Sequence, residues 1–455
     1  MRKKLLCVMM SAAMVATMFT GCGGSGDTKT TEASEKTTEK TTEKTTETEK
    51  ETEKEKETKK GTDEKKEYAK ADGELIYWSM WSSSDPQAKA IQEAVDAYEE
   101  ASGNTVKIEW KGRDIQKLIQ AALDSKKPVD LFDEDYFRVA QSYAGNCMDL
   151  TEMAEAANYG EHSVKGLVEG VKEKAGSLKA IAYQPYTSGI FYNKAIFEEA
   201  GVEEEPKTWE EFLDVCKKIK DAGYEPLALD DAYVLYNYGY HLARYIGEDA
   251  VKELCKNGGW AESEEALKAA QDMVELIENE YFESGVPGAW PESENTVGYS
   301  ESAMIVMASW LPNEVKQNTG EDIEWGMFNY PTVKGGKDKQ TIANIGAQAF
   351  AIPKHSKNAQ AAFDLIMTIT TGEYDQKIAL ATNSIPADPT NEEWPEMLAP
   401  CKDGFEALTG VYEWNMGLEA DADFSKMLKD STLKLFEGKL DAEAFIKEID
   451  ASSSK

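Results

Sequence analysis

The sequence predicts an α/β protein of two domains. Residues 74–132 switch repeatedly between strand-like apolar runs and helical spacing, giving a βαβαβ order. About 380 residues follow the polar N-terminal stretch, too many for one hydrophobic core. Between Tyr183 and Phe212 the chain reads as a strand, a short helix and a second, capped helix, which adds a further α/β unit.

At the N-terminus Arg2, Lys3 and Lys4 precede an apolar run, Leu5 to Phe19, of signal-peptide length and too short to span a membrane as a helix. The small residues before Cys22 resemble a lipoprotein signal, with residues 1–21 removed and Cys22 lipidated. An ordinary secretory signal, with Cys22 a spare thiol, is the alternative, and either one exports the protein. Residues 22–72 read as a tether. From residue 27 they are built of Thr, Glu and Lys around the near-repeat Thr-Thr-Glu-Lys, with 15 acidic and 12 basic side chains. Such a segment has almost nothing apolar to offset the entropy of ordering it. As a coil it would reach roughly 35–40 Å, which suits an anchored protein on the outer face of the cytoplasmic membrane of a Gram-positive cell.

The body follows in order. Glu74 to Trp78 is a strand, and Asp85 with Pro86 opens a helix whose buried face is Ile91, Ala94, Val95 and Tyr98. Gly103 ends it. Val106, Ile108 and Trp110 alternate as a second strand. Ile115, Leu118, Ile119 and Ala122 mark the next helix, and Val129 to Phe132 a third strand. This order implies a mainly parallel sheet, with ligands beyond the carboxyl ends of its strands. Ile190 to Tyr192 is a buried strand and Ala195 to Ala200 a short helix stopped by Gly201. Thr208 and Glu211 form a capping box for the helix that carries Phe212, Val215, Cys216 and Ile219 on one face. Strands at 227–229, 302–307, 325–330 and 345–352 follow, with helices at 264–278 and 354–370 and a mostly helical C-terminal part.

Several strings match one family in order and spacing. They are Tyr-Asn-Lys at 192–194, Glu-Glu-Ala-Gly at 198–201 and Pro-Lys-Thr-Trp-Glu-Glu-Phe at 206–212. Ser-Ala-Met at 302–304 with Trp310, Tyr-Pro-Thr-Val at 330–333 with Gly335-Gly336, and Ile-Pro-Lys at 352–354 with Ser-Lys-Asn-Ala at 356–359 complete the set. Across residues 73–445 the chain resembles the extracellular solute-binding proteins of ABC importers, in the carbohydrate-binding family that includes maltose-binding protein. The resemblance implies a two-lobed, periplasmic-binding-protein-like type 2 fold with three inter-lobe crossings, near 184–187, 326–331 and 384–388. The N-terminal lobe would comprise 73–185 and 331–385, the C-terminal lobe 186–330 and 386–450.

The same resemblance implies a sugar-binding cleft, where aromatic faces cover pyranose C–H faces and polar side chains meet the hydroxyls. Carried over by position, Trp81 lies in the loop after the first strand and Arg113 after the second. Asp133, Glu134 and Asp135 follow the third, where adjacent acids would repel one another. Tyr186 matches a polar hinge position, Asp231 and Tyr233 an acid and a stacking ring, and Trp310 and Trp414 further stacking positions. The relatives' basic residue in the first loop is replaced by Ser82 and Ser83, which leaves the sugar's identity open.

The net charge is −34. The signal's three positive charges and the tether's net three negative cancel, so the body itself carries about −34, which argues against nucleic acid or anionic lipid as partner. Cys147, Cys216, Cys255 and Cys401 are widely spaced, as are His162, His241 and His355, so no metal site is expected, and disulfides and buried thiols both remain open. No nucleophile, zinc or phosphate-loop motif is present, so no catalytic residue and no cofactor is expected. The expected partners are a small carbohydrate and ABC permease subunits in the membrane, with the protein acting as a monomer. A cationic ligand such as a polyamine, a glycan-binding adhesin and a glycosidase are the alternatives.

Overall fold

The computed structural model describes residues 67–453. The leader at 1–21, Cys22 and the tether as far as residue 66 lie outside the described residues. The folded body begins ahead of the expected boundary at Gly73. Tyr68 meets Tyr98 edge to face at 5.4 Å. The backbone N–H groups of Ala69, Ala71 and Asp72 donate to the side chains of Asp364, Asn104 and Asn358. One tyrosine and two alanines among charges are enough to dock a segment whose amides find acceptors.

Among the described residues nine strands build the frame: β1 (Glu74–Ser79), β2 (Thr105–Trp110), β3 (Leu131–Asp135), β4 (Ile181–Asn193), β5 (Glu225–Ala228), β6 (Ser302–Ala308), β7 (Trp325–Phe328), β8 (Ile342–Ala351) and β9 (Gly410–Tyr412). Their order is β2-β1-β3-β8-β4-β6-β5, with β7 paired to β4 and β9 to β8. The expected parallel unit is present in β2-β1-β3. The sheet is nonetheless mixed, because β8 runs antiparallel to both β3 and β4. The chain leaves the first lobe through β4 and returns through β8, and two adjacent crossings in opposite directions can pair only in that sense. The third strand also starts and ends later than expected, running through Asp133-Glu134-Asp135.

Local signals account for most helices. The box at Thr208 and Glu211 is formed with both of its hydrogen bonds, and Gly223 closes that helix in the left-handed region. Pro86 opens Pro86–Ser102, although the Asp85 carboxylate accepts from Ser82 N–H rather than from the helix. The helix expected at 354–370 begins only at Ala359. Cys147, Cys216, Cys255 and Cys401 are buried free thiols.

Two large hydrophobic cores result, one holding Tyr77, Ile91, Phe132, Tyr183 and Phe350, the other Ile190, Phe212, Tyr240, Met304 and Leu435. Residues 331–341, assigned to the first lobe from the sequence, pack on the second core. Val333 is buried there, Lys337 N–H donates to Arg244 O and Gln340 Nε2 donates to Pro206 O. The turn at Gly335-Gly336 keeps the chain on that lobe until β8 begins. At the third crossing Asp375 accepts from the backbone N–H groups of Ala387 and Asp388, both at 2.9 Å.

Arg244, fully buried on the helix Val234–Ile246, ties the second crossing to its lobe. Its guanidinium donates to the carbonyls of Tyr330, Pro331 and Ile342 and to Tyr412 Oη. Tyr240, Tyr330 and Tyr412 surround it at 5.5–6.0 Å. Three carbonyls would lose their donor in Arg244→Met, and a buried unsatisfied group costs about 1–3 kcal/mol. Arg244→Met should therefore lower unfolding stability in urea by roughly 3 kcal/mol or more, and Arg244→Lys should recover little, because an ammonium lacks the planar fork. A change under about 1 kcal/mol in both variants would remove Arg244 from this role.

Candidate functional site

A cleft of about 800 Å³ opens between the lobes. Asp135, Phe137, Arg138, Gln141 and Ser142 line it from the first lobe, Tyr186 from the crossing strand, and Lys252, Lys256, Trp310, Glu413, Trp414 and Glu419 from the other side. Tyr186, Trp310 and Trp414, each expected from the sequence, form its aromatic wall. Tyr186 meets Trp310 at 5.0 Å and 71°, and Trp310 lies 6.0 Å from Trp414 at 33°.

Each ring is set by its backbone. β4 bulges between Tyr183 and Tyr186, with Gln184 at φ 46°, which turns Tyr186 over Gly346 of β8. A Cβ at 346 would fall 2.3 Å from Tyr186 Oη, so only glycine allows this approach. Trp310 follows Ser309, whose N–H donates to Thr187 O at 2.8 Å, fixing the end of β6 beside the crossing. Trp414 precedes Asn415, Met416 and Gly417, all with positive φ, and its ring packs on Tyr236 at 4.8 Å. Two non-glycine residues in the left-handed region store strain where the ring is presented.

The polar groups of the cleft are mostly committed. Asp135 caps its own helix by accepting from Arg138 N–H, and Arg138 Nη1 bonds Glu134 Oε1 at 2.7 Å. Burial raises the Asp135 carboxyl, against the pull of Arg138 and Arg113. Glu413 accepts from Lys252 at 2.6 Å and from Lys174 of the first lobe. Burial pushes the Glu413 carboxyl up, but those two lysines outweigh it and leave it below its ordinary value.

The remaining sequence-predicted residues lie apart from this lining. Trp81 is buried and its indole N–H donates to Tyr183 Oη at 2.7 Å, while the exposed Arg113 lies 4.7 Å above its ring. Asp133 is a correction. It is fully buried in the first core, with both oxygens taken by Tyr77 Oη, Met80 N–H and Tyr183 Oη. Glu134 is also fully buried. Successive side chains of a strand leave opposite faces, which separates Glu134 from its two acidic neighbours, and Arg138 compensates the Glu134 charge. Asp231 is exposed and accepts from Trp290 N–H, and Tyr233 stands behind Trp414 at 6.3 Å.

Phe137 and Arg138 are not expected from the sequence because the third strand ends later than its apolar run suggests; they lie two and three residues beyond its true end. Lys252 and Lys256 share a helix face four residues apart, with no motif to single them out. Glu413 adjoins Trp414 and carried no separate signal.

Behind the aromatic wall, at the carboxyl edge of the second lobe's sheet, lies a group of acids: Asp230, Glu283, Glu294 and Glu314. β5 and β6 are parallel, so Asp230 after β5 and Trp310 after β6 emerge at the same edge. Glu294 is fully buried with neither carboxylate oxygen hydrogen-bonded, and Asp230 Oδ2 and Glu283 Oε1 are likewise unpaired.

The family model of the bacterial extracellular solute-binding proteins matches residues 81–376, well over half of the chain. The chain belongs to that family. Its members act outside the cytoplasmic membrane, so the protein is an exported one. It is 24% identical over 274 residues to the diacetylchitobiose binding protein NgcE of Streptomyces coelicolor, covering 54% of this chain and 55% of the relative. It is 24% identical over 242 residues to the sn-glycerol-3-phosphate-binding periplasmic protein UgpB of Brucella abortus, covering 49% and 53%. The chain thus spans about half the length of these curated relatives. Among solved structures, a chitin oligosaccharide binding protein superposes with a TM-score of 0.63 at 17% identity, over 84% of this chain and 98% of that one. That likeness establishes the two-lobed fold.

Burial raises Asp133 to about 6, Asp230 and Asp375 to about 7 and Glu294 to about 8. Unfolded, such groups titrate near 4. Between about pH 4 and 8 the native chain therefore holds protons that the unfolded chain has released, and stability falls as pH rises through that window. His241 opposes this: burial lowers it, so only the unfolded chain takes up its proton below about pH 6.5. Four groups outweigh one, and self-repulsion in an acidic chain has the same sign. Calorimetric Tm should be higher at pH 5.5 than at pH 8; the reverse order would contradict the raised carboxyls.

Proposed function

We propose that the protein is the substrate-binding lipoprotein of an ABC sugar importer. It captures an oligosaccharide or sugar in the inter-lobe cleft and delivers it to a membrane permease. The observation that carries this reading is the convergence of Tyr186, Trp310 and Trp414, from three separate segments, on one wall of a cleft large enough for a saccharide. Such a wall offers flat apolar faces to pyranose C–H groups. Arg138, Gln141, Ser142 and Lys256 supply donors around it.

The action is capture without chemistry. Ligand touching both lobes favours the closed arrangement by its differential affinity alone. Lys174 and Lys252, which meet at Glu413, sit where closure brings charges of the two lobes together. The closed form then docks on the permease, and the ATPase partner drives transport. Lipidation at Cys22 keeps the protein at the membrane, and the tether gives it reach.

Calorimetry against a panel of oligosaccharides tests the reading, and binding of none would end it. Trp310→Ala and Trp414→Ala should each weaken the sugar that binds by roughly tenfold to a few hundredfold, or about 1–3 kcal/mol, as for a large aromatic at a hot spot. Unchanged affinity in both folded variants would make the two rings packing residues. Cys22→Ala should abolish lipid labelling and leave no membrane-bound mature form; normal labelling would exclude the anchor.

A further inference from the structure

The acids behind the aromatic wall have no evident task in binding a neutral sugar. Asp230, Asp231, Glu283, Glu294 and Glu314 gather around Tyr233 and Trp290. Among the described residues, none has a Lys, Arg or His nitrogen within 4 Å, whereas most other acids near the cleft are paired. Asp230 accepts the Ser293 N–H on one oxygen. Its other oxygen and both oxygens of Glu294 are buried without a hydrogen bond of normal geometry, although the Trp290 side chain lies near enough to Glu294 to favour its charged form. Buried carboxylate oxygens without donors are costly, and native proteins retain few.

Two further observations show what would approach them. Trp310 caps the N-terminal end of Leu311–Thr319, and Glu314 lies one turn on, half-buried. Glu314 and Asp230 are both near enough to Glu294 to disfavour its ionised form. The acids thus begin one helical turn from a ring that lines the cleft. At their outer edge Asp231 is exposed and so is Trp290, whose indole is 49% accessible. An exposed indole beside unpaired carboxylates suits an ammonium, through ring and charge together.

We propose that this acidic cluster beside the cleft binds a protonated amine of the solute, so that the saccharide captured in the cleft is an amino sugar with at least one free amino group. The inference rests on the sugar-importer reading and narrows it. Glu314 meets the ammonium first and Glu294, with Asp230, accepts its remaining N–H bonds. Burial, reinforced by the neighbouring acids Glu314, Glu283 and Asp231, keeps Glu294 and Asp230 from ionising, and an entering cation opposes that preference. An N-acetylated sugar offers an amide without charge, and a hydroxyl offers one donor, so neither repays the desolvation of three carboxylates.

The test is a calorimetric comparison of glucosamine oligomers with their N-acetylated and glucose counterparts of equal length and linkage. The free amines should bind about tenfold or more tightly than both. Glu314→Gln and Glu294→Gln, nearly isosteric, should each reduce that preference by about tenfold. If the N-acetylated or glucose series binds as well as the amines to the unaltered protein, the amine proposal is overturned and the sugar-importer reading stands. If no series binds, both are overturned. If a folded variant loses the amine and the N-acetylated sugar equally, the carboxylates serve ordinary hydroxyls and the proposal fails. The ratio in the unaltered protein decides the matter even where a variant does not fold.

Discussion

The hydrogen bonds of one strand are divided between two sheets. Ile181 to Thr187 of β4 pair with β8 in the first lobe, and Ser188 to Asn193 pair with β6 and β7 in the second. The change of partner falls next to the bulge at Gln184 to Tyr186. A strand that serves two sheets cannot be shifted by one residue in either of them, because its side chains would exchange faces in both. The register of both lobes is thereby coupled, and Tyr186 sits at the coupling point. The cleft lies there because the frame requires a bend there.

A second layer of constraints holds the other crossings to this strand. Asn344 of β8 is fully buried. Its N–H donates to Tyr240 Oη, its amide donates to Tyr412 O, and its amide oxygen accepts from Tyr236. Its carbonyl accepts from Ser188 Oγ of β4. With Arg244 nearby, residues from β4, β8, β9 and the helix Val234–Ile246 form one satisfied polar network inside the second lobe. In a low-dielectric interior such a network specifies one arrangement, since any alternative leaves donors or acceptors unpaired. The close passage of Gly239 under Asn415 O, where a Cβ would come within 2.7 Å, brings the Trp414 turn onto the same helix.

How much was legible follows from what kind of signal each feature leaves. The capping box at Thr208, the parallel β1 to β3 unit and the ring positions 186, 310 and 414 rest on local patterns or on strings in fixed order, and they are found where expected. The fate of Asp133 depends on where β3 ends, and three consecutive acids contradict any apolar strand pattern. A buried Asp with three donors looks in sequence like a surface one. The docking of Tyr68 was hidden by the lysines and acids around it. The antiparallel pairing of β8 depends on chain direction at the hinge, which periodicity does not encode. Lys252 and Lys256 reach the cleft only through tertiary packing, so no local reading could select them.

Several unfavourable features of the second lobe lie near its aromatic wall. Unpaired carboxylates of Asp230 and Glu294, the left-handed residues after Trp414 and a half-exposed Trp310 all adjoin the same aromatic wall. Elsewhere in that lobe the buried polar groups Arg244, Asn344 and His241 are bonded, His241 to Asp272 at 2.7 Å. Other unpaired groups, such as the indole N–H of Trp209 and of Trp260, lie elsewhere in the lobe, but buried carboxylates are the costliest to leave without donors. The wall supplies apolar area to any pyranose and so discriminates weakly between sugars. On the amine reading the unpaired acids would discriminate strongly, because a ligand that fails to supply a donor leaves them as costly as before. On the proposed reading affinity and specificity would be separated in space, the first resting on rings at the crossing, the second on Glu314 one helical turn beyond Trp310 and on the acids near it.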